Sequence, residues 1–170
     1  MLDFRRLWQE ALPYDEFVAA SAERHRPLWE MVYRLARVPA GGPGPAARLL
    51  VLAEDWCGDA VNTVPVIARW AETVKLPLRV LRRDQYPAVM DAYLTNGSRS
   101  IPIVIALDAE FHPIGHWGPR PRELQAWVMA NKDRLDKAER YKEVRRWYAR
   151  DKGETTIREV REAMGVQAAV

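Results

Sequence analysis

Thiols are almost absent from this chain: Cys57 is its only cysteine. One cysteine excludes an internal disulfide framework, so stability has to come from a packed core, and a cytoplasmic setting is the expectation. Long apolar runs are missing too. Nowhere do about 18 apolar residues follow one another, so no membrane-spanning helix is expected. The first 17 residues, MLDFRRLWQEALPYDEF, are broken by Asp3, Arg5 and Arg6 and do not read as an export signal. A large excess of one charge is also lacking. The 26 Lys and Arg face 23 Asp and Glu for a formal +3, and no nucleic-acid partner is expected from charge.

What is present is 170 residues, 48% of them hydrophobic, which suits one globular domain with a sizeable core. Residues 3–38 carry Leu7, Leu12, Phe17, Val18, Leu28, Val32, Leu35 and Val38 at mostly helical spacing, interrupted near Pro13 and Pro27. Two or three short helices are predicted there. PAGGPGPAA, residues 39–47, breaks helices and marks a connection. Its Gly41, Gly42 and Gly44 precede a strand instead of following one, so they form a linker and not a phosphate loop.

Residues 49–53 are wholly apolar, as in a strand buried on both faces, and 58–73 show helical spacing with Pro65 inside. A second strand is predicted at 78–81, and a short helix at 87–94 that Asn96-Gly97 would stop. Residues 101–107 and 111–117 have hairpin spacing, and 119–129 return to a helical period. Past Asn131, Leu135, Ala138, Tyr141, Val144 and Trp147 continue a helical pattern, and Thr156 with Glu159 has capping-box spacing for a last helix. The order predicts an α/β fold with one parallel crossover followed by an antiparallel pair.

The chemistry concentrates in LVLAEDWCGDA, residues 50–60. A cysteine just after a buried strand and at the first turn of a helix meets unpaired amides and the helix dipole, which favour its thiolate. Trp56-Cys57-Gly58 at this junction resembles the thioredoxin family, whose motif continues with proline and a second cysteine; here Asp59 and Ala60 stand in those places. Pro65 matches the family's helix proline, Ile101-Pro102 its cis-proline dipeptide, and Gly118 the glycine that ends the hairpin. RDQYPAVMDAYLTNGSRSIP, residues 83–102, is similar to an atypical thioredoxin-like branch with a Trp-Cys-Gly-Asp motif.

The resemblance implies a thioredoxin-like fold, a central mixed sheet flanked by helices, over residues 48–131. A helical extension with its linker, 1–47, would precede this core, and a second extension, 132–170, would follow it. It further implies Cys57 as the catalytic residue, with Trp56, Gly58, Ile101, Pro102, Trp117 and Gly118 as the substrate surface; Asp59, which departs from the family motif, is a candidate proton acceptor for Cys57 or simply a favourable first-turn acid. Without a thiol at position 60, a mixed disulfide cannot be resolved within the chain, and Val51 stands where many members carry a buried acid.

Two opposed effects act on Cys57. A helix end is worth about 0.3 to 1 kcal/mol to an anion, up to roughly 2 when partly buried. A carboxylate about 6 Å away costs roughly 1 to 3 kcal/mol. The direction of the thiol's shift therefore stays open at this stage.

Other candidates weigh less. His112 and His116 lack a completing ligand pattern, so no metal is expected. Residues 132–152 mix nine basic with five acidic side chains, which describes a solvated helix. Arg99, Arg120 and Arg122 lie near the cis-proline loop and glycine by resemblance and are candidates for holding a substrate carboxylate. The leading expectation is a monothiol redox protein acting on a disulfide-containing protein or small thiol, without a cofactor, a low-molecular-weight thiol serving as co-substrate. A non-catalytic binding module and a peroxide-sensing thiol are the alternatives.

Overall fold

The computed structural model describes residues 1–166. Its five strands run in the order β1, β3, β2, β4, β5 across one sheet. These are β1 (Leu12–Pro13), β2 (Arg48–Ala53), β3 (Leu78–Arg82), β4 (Ile103–Leu107) and β5 (Pro113–Trp117). β2 pairs parallel with β3 and antiparallel with β4, and β5 closes the far side against β4. Helices α1 (Phe4–Glu10), α2 (Tyr14–Ala19) and α3 (Arg26–Leu35) come before β2, and α4 (Gly58–Thr73) links β2 to β3. The chain then adds α5 (Pro87–Asp91), α6 (Arg122–Asn131), α7 (Lys137–Asp151) and α8 (Glu154–Ala163). None of the described helices is long and apolar enough to cross a membrane.

The wholly apolar β2 is buried on both faces, as its composition predicts. Alternation divides it: Leu49, Val51 and Ala53 face a core shared with Val64, Ile67 and Trp70 of α4, while Leu50 and Leu52 face Phe4, Leu7, Val89 and Met90. Helices on both faces keep this central strand out of water. At ~25 cal/mol per Å² of apolar surface, such burial is the main favourable contribution to folding.

Several boundaries depart from the sequence prediction for identifiable reasons. β1 falls within the lead-in read as purely helical; its Pro13 lies in the outermost strand, where a missing N–H costs little. β4 begins only at Ile103 because Ile101-Pro102 forms a cis bond in the preceding loop. Phe111 and His112 stay in the hairpin turn, where Asp108 Oδ1 accepts from the amides of Glu110 and His112. Asn96-Gly97 does not stop α5, which ends at Asp91; it turns a small bridge between Thr95 and Ser98.

The capping box expected at Thr156 and Glu159 is also replaced. α8 starts at Glu154 after Gly153, and both residues lie buried inside the helix. Gly115 of β5 lets α8 come close: a Cβ there would lie 1.9 Å from the Ala163 carbonyl oxygen. Gly115→Ala should therefore push α8 off β5 and lower stability by about 1 to 3 kcal/mol. A urea midpoint unchanged from wild type would show that this approach is not needed.

Candidate functional site

β2 delivers its last residues to the sheet's end, where the chain turns through Glu54, Asp55 and Trp56 into α4. Cys57 is the N-cap of α4, in extended backbone conformation, and partly buried. It packs against both halves of the core, which meet at this junction. Its thiol donates to the Ile101 carbonyl oxygen at 3.5 Å, so the cis Ile101-Pro102 loop sits against the sulfur. Gly118 holds that loop from the other side. With φ at +125°, a Cβ at Gly118 would meet the Pro102 carbonyl oxygen at 2.1 Å. Trp56 projects outward, 52% exposed, with the Arg83 guanidinium over its ring at 5.0 Å.

The structure settles the direction that the sequence left open. Burial, the largest influence, pushes the Cys57 thiol above its ordinary value. The Asp59 carboxylate pushes the same way, while the amides of Ala60 and Asp59 and the Arg120 guanidinium oppose it without prevailing. Cys57 is therefore a protonated thiol near neutral pH.

Asp59 is buried and doubly held: Tyr148 of α7 donates to Oδ1 at 2.8 Å, and Arg120 pairs with Oδ2 at 2.8 Å. Burial, then Asp59, keeps the Tyr148 phenol protonated, which suits a donor. Each Asp59 oxygen thus accepts from a donor other than Cys57, and among the described residues the thiol's own hydrogen bond goes to Ile101 and not to Asp59. Tyr148 is the site residue that the sequence reading missed. Its only signal was an aromatic set among the charges of α7, and nothing local tells which helical face turns toward residue 59.

A second acid cluster stands just before the cysteine. Glu54 pairs with Arg82 at 3.3 Å and accepts the Asp84 amide at 3.0 Å. Asp55 takes Arg82 at 2.9 Å, His25 Nδ1 at 2.8 Å and the Ala22 amide at 3.0 Å. Burial disfavours the Asp55 anion, yet His25, the Ala22 amide and Arg82 together hold its carboxyl well below the usual range. The buried acid missing at Val51 thus has neighbours on both sides of the cysteine, at Glu54 and Asp59.

Other expected partners lie elsewhere. Trp117 is 6% exposed and donates from Nε1 to Glu159 at 2.9 Å, so it forms core behind the site and not a docking surface. Arg99 pairs with Asp91 at 2.7 Å, and Arg122 with Glu162 at 2.7 Å. With Arg120 on Asp59, all three arginines considered for a substrate carboxylate already hold one from the chain. His112 bonds Asp108, and His116 stacks edge-on against Tyr93, so the two histidines do not converge.

Two outcomes follow from these charges. Asp59→Asn should lower the pH at which Cys57 becomes reactive and speed its alkylation several-fold at pH 7.5, whereas Arg120→Met should raise it; opposite signs in an iodoacetamide pH profile would refute the electrostatic assignment. A carboxyl depressed in the fold adds stability above its unfolded value, about 4, and loses that share as pH falls. Below about pH 4 the wild type should therefore lose stability more steeply than Asp55→Asn. Equal slopes in urea titrations across that range would count against the Asp55 network.

A family model described as thioredoxin matches residues 43–140, more than half of the chain. A crystal structure of a protein of unknown function from Pseudomonas aeruginosa superposes with a TM-score of 0.76 at 18% identity, covering 97% of this chain and 98% of that one. A crystal structure of an HIV epitope-scaffold gives 0.75 at 16% identity, covering 98% and 100%. At these identities the two structures bear on the fold alone. No curated protein matches the chain. Strand order, the junction cysteine and the cis-proline loop agree with that family match: the chain belongs to the thioredoxin family.

Proposed function

We propose that the chain is a monothiol exchange protein. The Cys57 thiolate attacks one sulfur of a disulfide R–S–S–R′, forming Cys57–S–S–R and releasing R′S⁻, which is protonated by water. A low-molecular-weight thiolate then attacks the R sulfur, the mixed disulfide breaks, and Cys57 leaves as a thiolate and takes up a proton. Ala60 occupies the resolving position, so this second thiol comes from outside the chain.

The observation that carries this reading is the placement of Cys57, partly exposed at the N-cap of α4 with its thiol against the carbonyl that precedes cis Pro102. Exposed Trp56 and Gly58 and the partly exposed Gly118 form the surface on which the disulfide lies, while Ile101 and Pro102, both buried, offer backbone at its edge. A raised thiol pKa makes capture slow near neutrality and makes Cys57 a poor leaving group, so the mixed disulfide persists. The same raised value weighs against peroxide sensing, which needs a ready thiolate. Exposed Trp56 capped by Arg83 favours a second reading, a binding module that docks a partner chain without chemistry.

Oxidised glutathione should give one adduct per chain, absent in Cys57→Ser, at a rate that climbs steadily from pH 7 to 9. Intact-mass spectrometry reads the adduct and its slow removal by reduced glutathione. A wild-type chain that forms no adduct when folded, yet reacts when unfolded, would remove the exchange reading and leave the binding module.

A further inference from the structure

Residues of α3, α4 and the C-terminal end of α7 line an open groove of about 510 Å³. Its apolar part comes from Met31, Val32 and Leu35 of α3 and Val66 of α4. Met31 and Leu35 are 41% and 66% exposed, and with Leu28 they make a stripe at helical spacing that nothing in the described residues covers. Tyr148 lines the groove with its hydroxyl already given to Asp59, so it adds a ring and no free donor.

The polar part is of one sign. Arg37, Arg145 and Lys152 line the groove, no Asp or Glu does, and among the described residues none of the three pairs with a carboxylate. Arg82, Arg99, Arg120 and Arg122, by contrast, are all matched by acids. Unmatched cations around an apolar floor, in a space of the size that takes one small molecule, define the complementary ligand.

We infer that this groove binds a small anionic amphiphile, with a carboxylate or phosphate head among Arg37, Arg145 and Lys152 and an alkyl body along Met31, Val32, Leu35 and Val66. The head exchanges water for charge-assisted hydrogen bonds from two or three cations. The body covers an apolar stripe otherwise left in water. The site is separate from the Cys57 surface and does not depend on any reaction there.

Isothermal titration with monomeric decanoate and decyl phosphate, below their micelle concentrations, tests this directly. Both should bind one per chain, with decanol about ten-fold weaker, because the charged head supplies the stronger hydrogen bonds. Octanoate should bind about four-fold more weakly than decanoate, since an open groove realises roughly half of each methylene's transfer value. The double variant Arg145→Ala/Lys152→Ala should lose about ten-fold, and Leu35→Asp at least as much. Neither Arg145 of α7 nor Lys152, the residue that caps its end, makes a side-chain hydrogen bond or ion pair in the described structure, and Leu35 is largely exposed, so circular dichroism should show both variants folded. Absence of saturable binding, decanol binding as tightly as decanoate, or variants that bind like wild type would each overturn the proposal. So would binding to phosphatidylglycerol vesicles without binding of the monomers, which would assign the surface to a membrane.

Discussion

The site depends on one strand that has no water on either side. β2 alternates Leu49, Val51 and Ala53 against Leu50 and Leu52, and each set belongs to a different half of the core. A one-residue slip would exchange the two sets, so the register is strongly held. Whatever follows Ala53 is therefore placed rigidly at the sheet's end. Cys57 inherits this: it contacts both core halves and cannot leave the junction without disturbing one of them.

That placement also explains the electrostatics. Beside the end of a buried strand, Cys57 is desolvated, and the first-turn amides of α4 do not recover what burial removes. Asp59 then pushes the thiol the same way, held in place by Tyr148 of α7 and by Arg120 from the segment before α6. In a dithiol member of the family, a second cysteine would follow three residues after the first; here its place is a small apolar Ala60 packed into the core. The groove lined by α3, α4 and α7 shares Tyr148 with this arrangement, so α7 serves both.

Much of the fold was legible in the sequence. A wholly apolar strand, a long amphipathic helix and two strands at hairpin spacing are local patterns, and each is found, with both hairpin strands starting about two residues later than their pattern suggested. The errors came where a local rule met a distant partner. Thr156 and Glu159 have the spacing of a cap, but Glu159 is more favourably used facing inward, where it accepts Trp117 Nε1 and the Arg122 amide. Asn96-Gly97 is a strong turn signal, and it does turn the chain, five residues after the last residue of α5, Asp91.

By itself the sequence determined the α/β order, the central buried strand and the position of a lone cysteine at a strand-to-helix junction, because periodicity and turn chemistry are properties of neighbours along the chain. Tertiary structure decided which charges reach that cysteine. Tyr148 lies 89 residues beyond Asp59, and His25 lies 30 before Asp55, distances over which no local pattern constrains contact. The thiol's proton affinity is set by those through-space partners and by burial, so it could be known only once the chain was folded.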